Sequence, residues 1–145
     1  MGARCSTNMR EAKHQNQKET GPTLMELVLQ LHGDLRRSLE PVRVTPLQAG
    51  VLCYLHRHAD ARLGEAAAAI RVQPPTLVEV VQDLVRKRWV TNRRSVKDRR
   101  AVCLRLSRQG EALARTIAQR VRHVEATLTE QDRGALGMTP QDRRA

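Results

Sequence analysis

A chain of 145 residues is long enough for one domain built around a single hydrophobic core. Its 26 Lys and Arg outnumber 15 Asp and Glu to give a formal net charge of +11, the balance of a protein that meets polyanions. With Tyr54 and Trp89 as its only aromatics, it lacks the stacking platforms of single-strand and RNA-binding modules. Cys5, Cys53 and Cys103 contain no CxxC pair and argue for a reducing, cytoplasmic setting rather than a disulfide framework. No apolar run approaches the roughly 18 residues of a membrane span, and the first residues hold no apolar signal core.

Residues 1–22 are polar and end in Gly21-Pro22; they read as a mobile tail ahead of a single domain over 23–145. A first helix, about 23–40, carries Leu24, Val28, Leu31, Leu35 and Leu39 as an apolar stripe and is closed by Pro41. Thr45 and Pro46 mark the N-cap and first position of a second helix, with Leu47, Val51, Leu52 and Leu55 as its buried face. A short third helix lies in "LGEAAAAIRV", 63–72, where alanines favour a helix and permit a close neighbour.

In "QPPTLVEVVQDLVRKR", 73–88, Pro74 and Pro75 fit only the first turn of a helix. Leu77, Val81 and Leu84 then face inward, and Thr76, Glu79, Asp83 and Arg86 face outward. Trp89 and Val90 open a strand, "NRRSVKDRR" makes a long turn, and Ala101 to Leu106 return with strict alternation. Ser107 caps a last long helix bearing Leu113, Ile117, Val121, Val124 and Leu128. The polar remainder, 129–145, holds a short helix around Asp132 to Leu136.

Most of the surplus charge sits in one place. Residues 86–108 hold ten Lys or Arg and a single acid, Asp98, for a net charge of +9. Such a turn is poor core material but suits phosphates. The chain has no glycine-rich phosphate loop and no GxSxG elbow, so no catalytic residue, cofactor or metal is expected. Cys53, His56 and His58 are neighbours in sequence, yet offsets of three and five keep them off one helix face.

Three short helices and a two-stranded β-wing, flanked by apolar-striped helices, describe a mainly α winged helix-turn-helix. One helix end enters the major groove of B-DNA, and the basic hairpin reaches phosphates and the minor groove. From about Val44 to Ile117 the sequence resembles the multiple-antibiotic-resistance regulator (MarR) family. "DRRAVCLRLSRQG", 98–110, resembles that family's wing: Asp-x-Arg, alternating leucines, Ser or Thr, then Gly. "VTPLQAGVLCYL", 44–55, is similar to the start of its second helix, and "QPPTLVEVVQDL", 73–84, to its recognition helix.

The resemblance implies a homodimer on a pseudo-palindromic double-stranded DNA site. Its winged lobe would span about 44–107, and its dimerisation helices about 23–40 and 108–136. Gln73, Pro75, Thr76, Glu79 and Arg86 would meet the major groove, and Arg93, Arg94, Lys97, Asp98, Arg99 and Arg100 would form the wing's contact. By position Arg100 is the wing-tip arginine, and Asp98 either orients it or merely shapes the turn. Leu24, Val28, Leu31, Leu113, Ile117, Val121, Val124 and Leu128 would be covered between subunits. A pocket for a small aromatic or acidic effector would draw on His32, Arg36 and Cys53. The expected protein is a dimeric repressor relieved by such an effector, not an enzyme.

The match breaks at two places on the recognition helix. Glu79 stands where many members carry a basic residue. It either accepts a hydrogen bond from a cytosine amino group, pairs with Arg86 or Lys87, or marks weakened binding. Arg88 replaces the usual terminal Gly, at a cost of about 1 kcal/mol unless the turn is rebuilt. Two alternatives therefore stay open: a low-specificity architectural or counter-silencing protein that coats DNA, and a sensor that has lost DNA binding. The C-terminal segment also looks short for a dimerisation helix, which would shift the dimer contact toward the first helix.

Overall fold

The structure is a computed structural model and describes residues 21–138. The expected tail over 1–20, with Cys5, and the segment 139–145 lie outside the described residues. The elements run α1 Leu24–Leu39, a 3-10 turn Glu40–Val42, α2 Pro46–Arg57, β1 Ala61–Arg62, α3 Leu63–Ile70 and α4 Pro74–Arg86. They continue with β2 Val90–Arg94, β3 Val102–Leu106, α5 Arg108–Ala126 and α6 Glu130–Ala135.

Helix starts follow local chemistry. The Thr45 hydroxyl accepts from the Gln48 N–H at 3.2 Å, and the Gln48 side-chain carbonyl accepts from the Thr45 N–H at 3.1 Å. The same reciprocal cap joins Thr23 to Glu26 and Thr129 to Asp132. The expected start of α4 at Pro74 is observed, but Gln73 and Lys87 are its caps rather than helical residues.

The wing is two-stranded as expected, but the sheet is not: β1 adds a third antiparallel strand in the order β1-β3-β2. Val90 pairs with Leu106, Arg94 with Val102, and Ala61 with Leu104. Two residues carry no readable periodicity, which is why β1 escapes a sequence reading. Val90, Leu104, Leu106 and Ala61 point into the core, where Val51, Leu52 and Leu55 of α2 meet Leu77, Val81 and Leu84 of α4. Leu47, expected on the buried face of α2, is only half-buried; Gln48 and Ala49 are buried instead.

The stripe of α1 divides. Leu27 and Leu39 are buried in the chain, while Leu24, Met25, Val28 and Leu29 are exposed. The stripe of α5 does not divide that way. Ile117 is wholly buried and Val124 nearly so, and Leu113 and Val121 pack on the same core. Placing Ile117 and Val124 between subunits is therefore corrected: α2 and α1 of the same chain already cover this helix. Leu128 lies past the end of α5 and is half-buried.

Arg88 adopts the left-handed conformation that a terminal Gly would, with φ 61°. Its N–H donates to the Val85 carbonyl at 2.9 Å, and the Trp89 N–H donates to the Leu84 carbonyl at 3.0 Å. The turn is kept, and the strain with it. Arg88→Gly is expected to stabilise the protein by roughly 1 kcal/mol, raising the melting temperature by about 4 °C. Urea and thermal unfolding monitored by circular dichroism would measure it; an unchanged midpoint would mean that contacts of the arginine side chain offset the strain.

Candidate nucleic-acid interface

The helix-turn-helix turn sets the exposed end of α4. Arg71, left-handed at φ 58°, ends α3, and its N–H donates to the Ala68 carbonyl at 3.2 Å. The chain then extends through Gln73 and re-enters a helix at Pro74. Gln73, Pro75, Thr76, Glu79 and Arg86 are all exposed. The first turn of α4 contains no acid, and although Pro74 and Pro75 have no N–H to offer, the positive end of its dipole is open to an anion.

The last turn of α4 is different. Asp83 accepts from Lys87 Nζ at 3.0 Å and from Arg86 at 3.4 Å. The Lys87 ammonium, foremost, holds the Asp83 carboxyl below the usual carboxylate range. The same carboxylate accepts from Gln48 Nε2 at 2.6 Å, which ties α2 to α4. Glu79 has no ion-pair partner among the described residues, so one of its three readings, pairing with Arg86 or Lys87, is not realised. Asp83, one turn closer to both cations, takes them instead.

The wing tip is organised by two short polar side chains. Ser95 Oγ accepts from the N–H groups of Lys97 and Asp98, each at 3.3 Å. Asp98 Oδ1 accepts from the Arg100 backbone N–H at 3.0 Å, and the Ala101 N–H donates to the Asp98 carbonyl at 3.0 Å. Asp98 thus acts on the backbone of Arg100 and not on its guanidinium, an Asx-type turn. Among the described residues, Arg93, Arg94, Lys97, Arg99 and Arg100 are exposed and have no ion pair within 4.0 Å.

Arg105 is set apart from these. It grips Asp60 through both carboxylate oxygens and anchors β3 to the turn before β1. That hydrogen bonding holds the Asp60 carboxyl below its usual range. Three of the ten cations in 86–108 are therefore already paired: Arg86, Lys87 and Arg105. The cross-strand register also places Arg62 and Arg93 on either side of Cys103. Sequence reasoning missed Arg62 because nothing marked β1 as part of the wing sheet.

An open groove of about 850 Å³ lies between the C-terminal half of α1 and the start of α2, lined by Leu29, Gly33, Arg36, Glu40, Arg43 and Val44. Of the three residues expected at an effector pocket, Arg36 lines this groove, whereas His32 and Cys53 do not. His32 is exposed on α1, and Cys53 is half-buried on α2. Burial pushes the Cys53 thiol up, so it holds its proton at neutral pH. No helix among the described residues is long and apolar enough to cross a membrane.

Residues 44–101, from the start of α2 to the wing turn, match the model of the MarR family. The HTH-type transcriptional repressor MdtR of Bacillus subtilis is 29% identical over 89 residues, which span 61% of this chain and 57% of MdtR. The chain therefore spans little more than half the length of that relative. Among solved structures, the MepR–DNA complex of S. aureus superimposes with a TM-score of 0.69 at 20% identity, covering 77% of this chain and 85% of MepR. BpsR of Bordetella bronchiseptica, described for regulation of its DNA binding by 6-hydroxynicotinic acid, superimposes with a TM-score of 0.71 at 19% identity, covering 81% and 93%. Over its winged lobe, residues 44–101, this chain is thus similar to the MarR family, and it shares the winged helix-turn-helix fold of MepR and BpsR.

Proposed function

We propose that the protein binds a pseudo-palindromic double-stranded DNA site in the cytoplasm as a homodimer, represses transcription there, and is released by a small organic acid. One observation carries this reading: the acid-free first turn of α4 and the unpaired cations of the wing, joined through the short turn at Arg88. A helix end of this kind fits the major groove, and a basic hairpin beside it reaches the phosphates and minor groove that flank it. Gln73, Thr76 and Glu79 would read bases, and Arg93, Arg94, Lys97, Arg99 and Arg100 would supply most of the affinity. The exposed apolar face of α1 supports a second subunit, since Leu24, Met25, Val28 and Leu29 are otherwise left to water. The groove beside Arg36 and Arg43 supports an anionic effector with an apolar body, for which Leu29 and Val44 supply the wall.

The deciding experiment measures binding to duplexes tiled across neighbouring promoters against a scrambled duplex at near-physiological salt. A preference of roughly a thousandfold for one short palindrome would establish a specific regulator. Equal, steeply salt-dependent binding to every duplex would instead identify the coating protein, and no binding at all the sensor. Within that assay, Arg100→Ala is expected to weaken binding and to lower the salt slope by about one unit. Asp98→Ala is expected to weaken binding less, because its carboxylate orders only the backbone at Arg100.

A further inference from the structure

Gln48 is the one buried polar side chain among the described residues, and it uses both of its ends. Its carbonyl caps α2 by accepting from the Thr45 N–H at 3.1 Å, and its amide donates to Asp83 Oδ2 at 2.6 Å. That oxygen also receives Lys87 Nζ at 3.0 Å, while Oδ1 receives Arg86 at 3.4 Å. Lys87 is further steadied by the Trp89 ring, whose centroid is 5.2 Å away. The carboxylate is therefore fixed from the α2 side and faces two cations that stand at the junction between the recognition helix and the wing.

We propose that Asp83, held in place by Gln48, is a built-in counter-anion that keeps Arg86 and Lys87 from DNA phosphates and so sets the ratio of specific to non-specific binding. The inference rests on the DNA-binding reading above. A phosphate recruits these two side chains in competition with a carboxylate already in contact with them. On random DNA, where phosphate contacts are all that is gained, that exchange returns little. At a matched site, the contacts of Gln73, Thr76 and the wing add to it. A protein with a net charge of +9 over 86–108 needs such a restraint if it is to leave non-specific DNA.

The test is the salt dependence of binding to the preferred duplex and to a scrambled duplex, for the wild type and for Asp83→Asn, Gln48→Ala and Thr45→Ala. Asparagine retains an acceptor for Gln48 but releases both cations. Asp83→Asn is therefore expected to bind scrambled DNA about tenfold or more tighter, to steepen its salt slope by about two units, and to discriminate less. Gln48→Ala frees the carboxylate to turn to solvent and should move both quantities in the same direction by a smaller amount. Thr45→Ala removes the other half of the same helix cap and should lower the melting temperature without changing the slope. An unchanged slope in Asp83→Asn would overturn the proposal. Should that variant fail to fold by circular dichroism, equal slopes for Gln48→Ala and Thr45→Ala would overturn it. If the wild type binds no duplex at any salt, the DNA-binding reading itself falls and takes this proposal with it.

Discussion

Gly110→Ala is expected to destabilise the fold by about 3 kcal/mol, enough to lower the melting temperature by roughly 10 °C. A Cβ at Gly110 would stand 2.0 Å from the Trp89 carbonyl oxygen and 3.0 Å from its carbon. Neither partner can step aside. The Trp89 carbonyl accepts the Ser107 N–H at 2.9 Å, and the Ser107 hydroxyl donates to the Arg88 carbonyl at 2.7 Å. Ser107 Oγ also accepts from the Gly110 N–H at 3.1 Å, so cap, strand and helix are closed on one another. The "SRQG" end of the wing motif is thus a packing requirement, and not one of backbone conformation. Thermal unfolding compares Gly110→Ala with Gly134→Ala, whose Cβ would meet nothing within 4 Å. Equal melting temperatures for the two would show that α5 shifts away from β2 at little cost.

Leu24→Asp combined with Leu29→Asp is expected to yield a monomer and to reduce affinity for a palindromic site by about a thousandfold. The two side chains are 56% and 63% exposed in one subunit, so the charges cost the isolated chain little. Between subunits they would be buried without partners, which a dimer cannot sustain. On the proposed dimeric reading, loss of the dimer also removes the second half-site, whose binding would otherwise be intramolecular at an effective concentration near millimolar. Leu27 and Leu39 still anchor α1 to its own chain, so helix content should persist. Light scattering at micromolar concentration reads the first effect, and duplex titration the second. A variant that remains dimeric would move the contact to another face.

How much of this was legible in the sequence depends on range. Elements set by near neighbours could be read: Thr45-Pro46 and Pro74-Pro75 start their helices, and alternation from Val102 to Leu106 makes β3. What binds residues far apart could not. Gln48 reaches Asp83 across 35 positions and Arg105 reaches Asp60 across 45, and neither pair leaves a local trace. Of the three readings of Glu79, pairing with Arg86 or Lys87 is not realised, because Asp83 offers both cations a partner one turn nearer. Stripes were ambiguous in a different way. Periodicity marks a face as apolar but not what covers it, so Ile117 and Leu24 look alike until one proves buried in the chain and the other exposed. At the wing, the residue types gave the cationic surface, but which cations are free emerged only from the position of Asp60 and Asp83.

The left-handed residues Arg43, Asp60, Arg71 and Arg88 all stand at turns around the winged lobe. Three of the four are arginines, exposed where glycine would sit at ease. The lobe therefore carries charge at its corners in exchange for conformational comfort, at about 1 kcal/mol per turn. Its consequence concerns evolvability. If α4 reads DNA as proposed, some of the substitutions needed to refit it to another sequence will weaken the fold, and a marginally stable domain tolerates few of those. A background with glycine at Arg43, Arg71 and Arg88 would absorb several such losses before unfolding. Retargeting α4 to a new sequence should then succeed more often in that background than in the natural chain, a difference that selection from paired libraries would count directly.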